Sequence, residues 1–176
     1  MKRILSLAAI FAVSLFAVSG AFAQEATLKV DDVLANGEQY VGKTVAVEGL
    51  CSHLCKHGGR KMFLRSGKGL LRVESTAKTG AFKSETINEP VRVVGTLAET
   101  RIDETYLRNW EERIASGNKA AEHGGCETEA AARGESGDTA AQKIANFRER
   151  IAKRNAEEGK NYLSVFYVVA DSYEIL

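Results

Sequence analysis

Thiol and imidazole groups are scarce in this chain and concentrated in two places. Cys51-Ser52-His53-Leu54-Cys55-Lys56-His57 holds two of the three cysteines and two of the three histidines, and His123-Gly124-Gly125-Cys126 holds the others. These are the side chains that ligate soft and borderline ions, so the pattern points to zinc or reduced copper. The expected core ligands are Cys51, Cys55 and Cys126, with His57 as the fourth and His53 and His123 in reserve. The spacing C-x-H-x-C-x-H matches no common zinc motif, so the inference rests on donor chemistry rather than on a signature.

Chain geometry constrains that reading. In one extended strand Cys51, His53, Cys55 and His57 would share a face, but its ends would lie about 20 Å apart, too far for one tetrahedral ion. Cys51 and Cys55 would be about 13 Å apart, beyond the roughly 7 Å that a disulfide spans. Joint action of the two cysteines therefore calls for a helical turn or tight loop, which Gly58-Gly59 could end. The competing readings are a Cys51–Cys55 disulfide stapling the loop, with Cys126 left over, and thiol redox work. The latter lacks the C-x-x-C spacing of redox motifs.

Other chemistry is thinner. Lys56, Arg60, Lys61, Arg65 and Arg72 form a basic patch, with Phe63 as a stacking ring. Such a surface could bind a small anionic ligand, an oligosaccharide or an oligonucleotide, although a charged, solvated sheet edge is the plainer account. There is no phosphate-binding glycine loop, no G-x-S-x-G and no H-E-x-x-H, and no acid–base pair is assembled, so a non-catalytic role is expected. The Glu111-Glu112 pair reads as a solvated helix surface.

The elements that must position these groups follow from periodicity. Leu28 to Gly37 reads as a short helix or turn, and Thr44 to Leu50 as a β-branched, alternating strand. Lys61–Arg65 and Leu70–Glu74, joined by Ser66-Gly67-Lys68-Gly69, read as a hairpin. Thr76 to Pro90 is irregular, and Val91 to Leu97 is a strand continuing toward Arg101. Gly95 and Gly49 suggest bulges. Tyr106, Leu107, Trp110 and Ile114 give an amphipathic helix over about 103–115. A second helix starts near Asp138 with capping-box spacing at Thr139 and Gln142, its stripe being Ile144, Phe147 and Ile151. Ser116 to Gly137 reads as a mobile loop. Tyr162 to Ala170 and Ser172 to Leu176 form a closing strand.

Five strands in this order give a mainly β chain, an OB-fold-like barrel with a helical hairpin inserted between the fourth and fifth strands, over about 103–158. Tyr40-Val41-Gly42-Lys43-Thr44-Val45-Ala46-Val47-Glu48-Gly49 resembles the opening strand of exported bacterial OB-fold domains of unassigned function. That resemblance covers about Val30 to Arg101 plus the last strand, and it implies architecture more than activity. In such barrels the loops joining strands one and two and strands four and five flank one binding face, which would bring Cys51–His57 to His123–Cys126.

The N-terminus sets the compartment. Lys2 and Arg3, an apolar run from Ile4 to Val18 and Ala21-Phe22-Ala23 read as a secretory signal peptide over 1–23, leaving a single domain over 24–176 in the periplasm or outside the cell. Without Lys2 and Arg3, 22 basic residues stand against 23 acidic ones, a net charge of about −1. This gives no general pull toward nucleic acid, and no membrane span is expected after signal cleavage. The expected partners are a metal ion and another periplasmic protein, and nothing in the sequence sets an oligomeric state.

Overall fold

Side-chain alternation along five strands sorts the barrel into an inner and an outer surface. The computed structural model describes residues 27–56, 58–118 and 126–176. The expected signal peptide, His57 and His123 lie outside the described residues.

Strand β1 (Thr27–Lys29) leads into helix α1 (Val30–Asn36) and a 3-10 turn at Gly37–Tyr40. Strand β2 (Thr44–Leu54) pairs antiparallel with β3 (Lys61–Arg65), and β3 with β4 (Leu70–Glu74). After the irregular link come β5 (Pro90–Ile102) and, beyond the helical insertion, β6 (Leu163–Ile175). β4 runs parallel to β6, β6 antiparallel to β5, and β5 returns to β2. These five strands close the OB-fold-like barrel, and β1 only adds a short parallel edge to β2.

The barrel interior is filled by alternate residues. Val45, Val47, Met62, Leu64, Leu71, Val73, Val91, Val93, Leu97 and Val168 form one apolar cluster. Full burial of such a side chain stabilises by about 1.5–3 kcal/mol each, so this cluster is the main source of stability. The expected bulge at Gly95 is present, with the β5–β6 register shifting between Val94 and Gly95. A Cβ there would collide with the Val169 carbonyl oxygen, which is why the position is glycine. In β2 the bulge falls between Cys51 and His53, not at Gly49. Gly49 instead leaves room for Val30 of α1, whose Cγ2 an added Cβ would approach to 2.6 Å.

The insertion carries a second core. Helix α2 (Glu104–Ala115) and helix α4 (Ala140–Glu158) set Leu107, Trp110, Ile144 and Phe147 against Ile102 and Val165 of the protruding ends of β5 and β6. Asp103 caps α2 by accepting from the Tyr106 N–H at 2.8 Å. The expected capping box at α4 forms, with Thr139 accepting from the Gln142 N–H and Gln142 accepting from the Thr139 N–H. One segment differs from expectation. Within the span read as a mobile loop, Glu127–Ala132 forms a short helix, α3. Its acidic first turn, Arg133 at its C-terminal end and left-handed Gly134 (φ 68°) are ordinary helix signals.

Candidate functional site

The chemistry expected of Cys51–His57 is divided by the bulge in β2. Cys51 pairs with Leu64 and His53 with Phe63, neighbours on β3, so the extra residue, Ser52, puts Cys51 and His53 on opposite faces. Cys51 points into the barrel core and is 0% exposed. Its Sγ lies 3.7 Å from Thr86 Oγ1 and 4.0 Å from the His53 carbonyl oxygen. Burial pushes the thiol upward, against the hydrogen bonds of Thr86 and His53. A buried, protonated thiol is a poor ligand and a poor nucleophile.

The segment is also extended rather than helical. β2 continues through Leu54 because its edge is taken up by β3, with Leu54 opposite Met62. Cys55 is the first residue past the strand. Its N–H donates to the Lys61 carbonyl at 2.8 Å and its carbonyl accepts from the Gly59 N–H at 3.1 Å. Gly58 and Gly59 are both left-handed, which lets so short a turn close. Cys55 is buried but lies outside the barrel-core cluster that holds Cys51. All three cysteines are thiols.

On the outer face the two stretches meet. A cavity of about 260 Å³ is lined by His53 and Lys56 from one and by Cys126, Glu127 and Thr128 from the other. Cys126 is half-buried and occupies the N-cap position of α3. His53 also begins a cross-strand row on this face: His53 opposite Phe63, Phe63 opposite Arg72, Arg72 opposite Tyr167. The His53 ring lies 5.9 Å from the Phe63 ring, and the Arg72 guanidinium 4.5 Å from the Tyr167 ring centre. Among the described residues, no three His, Cys, Asp or Glu side chains are grouped as a metal ion requires.

The basic patch is arranged differently from a free ligand surface. Phe63 is 0% exposed, so its ring offers no open stacking face. Arg60 is exposed and Lys56 borders the cavity. Lys61 Nζ and Arg72 Nη1 both reach Glu129 Oε1, at 2.6 and 3.3 Å, and Arg133 Nη1 reaches the same oxygen at 3.1 Å. Burial alone would raise the Glu129 carboxyl, but the hydrogen bond from Lys61 and the charges of Lys61, Arg133 and Arg72 hold it below its ordinary value. Glu129, Arg133 and Tyr167 were not singled out by residue chemistry. The available signal was the i, i+4 pair Glu129–Arg133 in a stretch rich in alanine.

The fold and this junction define an OB-fold-like barrel with an imidazole and a thiol, His53 and Cys126, bordering one cavity on its outer face. No protein-family model matches the chain, and neither does any curated protein. Among solved structures, an aspartyl-tRNA synthetase from Leishmania major Friedlin is 19% identical with a TM-score of 0.36, aligned over 49% of this chain. The match spans 18% of that protein, and a likeness this slight carries no argument. No described helix is long and apolar enough to cross a membrane.

Proposed function

We propose that this is an exported, non-catalytic protein that binds one soft or borderline metal ion, zinc or reduced copper, where the β2–β3 turn meets the β5–β6 connection. The observation that supports this reading most is the shared cavity, lined by His53 from one stretch and Cys126 from the other. His53 and Cys126 are the proposed nucleus of the site, and Cys55, His57 and His123 are the proposed further donors. Cys51 is left out of the ligand set because its thiol is enclosed in the barrel core. Export rests on the signal-peptide pattern of residues 1–23. In an oxidising compartment, metal ligation would also protect Cys126 from oxidation.

The test is native mass spectrometry of the secreted protein after incubation with zinc or with copper under reductant. One bound ion in the wild type is expected, lost in Cys126→Ser and in the double variant His57→Ala/His123→Ala. A wild-type chain that stays metal-free in the reduced state, or that is isolated two hydrogens lighter through a disulfide, overturns the proposal.

A further inference from the structure

The outer face of the barrel presents an unusual arrangement: three cations converge on one oxygen of a carboxylate that belongs to the insertion. Lys61 and Arg72 stand on adjacent strands, β3 and β4, and Arg133 follows α3. Arg72 is held without help from Glu129, since its Nε lies 3.2 Å from Glu74 Oε1 and its guanidinium rests over Tyr167. Glu129, by contrast, is carried by a six-residue helix with no buried residues. So short a helix is marginal by itself, and α3 has no fully buried side chain to anchor it. The ion cluster ties α3 to the barrel, while the residues after it are tied to α4 by Lys143, 3.1 Å from Glu135, and by Arg150, which donates to the Gly134 carbonyl at 2.6 Å. If α3 swings away from the barrel, Glu129 leaves Lys61 and Arg72, and Arg72 keeps Glu74 as its ion partner.

We propose that this face is an oxyanion-binding seat that the chain keeps filled with its own Glu129 carboxylate, and that a phosphate- or carboxylate-bearing ligand binds by displacing α3. Lys61 supplies a point charge and Arg72 a fixed planar fork, the pair of donors that suits a phosphate or carboxylate group. Glu129 occupies the seat as an internal competitor, so the apparent affinity for an external anion is reduced by the fraction of molecules in which the seat is filled. Because Cys126 caps α3 and lines the neighbouring cavity, the two sites share an element, and the seat is tested on the metal-free chain.

The experiment is a titration of inorganic phosphate into the wild-type chain and into Glu129→Gln, followed through the backbone amide shifts of Lys61 and Arg72. Binding about tenfold tighter or more is expected in Glu129→Gln, where the competitor is neutralised. That gain should vanish in Glu129→Gln/Arg72→Gln. Vesicles of phosphatidylglycerol run in parallel separate the two sources of phosphate. Pelleting of Glu129→Gln with the vesicles assigns a lipid headgroup, and phosphate binding without pelleting assigns a soluble solute. Hydrogen exchange on the wild type needs no variant. The α3 amides should exchange faster in phosphate than in chloride of equal ionic strength. Phosphate affinity that is no tighter in a folded Glu129→Gln, or α3 exchange that is the same in both salts, overturns the proposal.

Discussion

The inner and outer faces of β3, β4 and β6 are built from alternate residues of the same strands, yet they do different work. Inside, Met62, Leu64, Leu71, Val73 and Val168 are all 0% exposed and interchangeable in chemistry. Outside, Lys61, Phe63, Arg72 and Tyr167 are individually placed, each with a named partner. Apolar burial is concentrated in the first set, and ion pairs and ring contacts in the second. Ser52 decides which set the residues of the cysteine segment join, because the bulge sends Cys51 inward and His53 outward. A residue's type therefore did not settle its role here. Cys51 and Cys126 are chemically identical, and only one of them borders a cavity that could hold a ligand.

Substitutions on the two faces should separate these roles. Leu64→Ala removes a fully buried side chain from the barrel core and should destabilise by about 3 kcal/mol in urea unfolding, with the slope unchanged. Gly95→Ala forces a methyl group against the Val169 carbonyl at the β5–β6 bulge and should cost about 2 kcal/mol by the same measurement. Cys51→Ser should cost about 1–2 kcal/mol. The shorter hydroxyl would fall short of Thr86 and the His53 carbonyl, which already lie 3.7 and 4.0 Å from the sulfur. Cys126→Ser, on the outer face, should change stability by less than about 0.5 kcal/mol. Equal losses from the two cysteine variants would break the distinction.

The smallest effect concerns the Glu129 cluster and acid. The folded state holds this carboxyl below its ordinary value, so its contribution is fully present above the unfolded value of about 4.3. It is lost as pH falls from there through the lower folded value. Stability measured against pH should show wild type and Glu129→Gln converging below about pH 4, with wild type higher at neutral pH. Parallel curves across that range would show that the Glu129 ion cluster adds nothing to stability.

Much of the architecture was legible because it follows from periodicity. Alternation in Lys61–Arg65 and Leu70–Glu74 gave the hairpin at the observed limits, and the spacing of Leu107, Trp110, Ile144 and Phe147 gave both long helices and their shared core. Helix α3 was missed because its glycine- and alanine-rich surroundings look like a loop, and no apolar stripe marks it. The site was only half legible. Residue types named the donors, but the phase of β2 depends on a one-residue bulge that alternation cannot reveal. The hold on Glu129 depends on Lys61 and Arg72, which are 68 and 57 residues away in sequence. Local patterns carry no information about such a pairing.

The most direct test of the division between faces is cobalt substitution of the reduced chain, comparing Cys51→Ser with Cys126→Ser. Thiolate ligation to cobalt gives an intense near-ultraviolet charge-transfer band, which reports sulfur bound to the ion and nothing else. The band is expected in the wild type and unchanged in Cys51→Ser, but abolished in Cys126→Ser. A band that survives loss of Cys126 and disappears with Cys51 would contradict the assignment of ligand chemistry to the outer face.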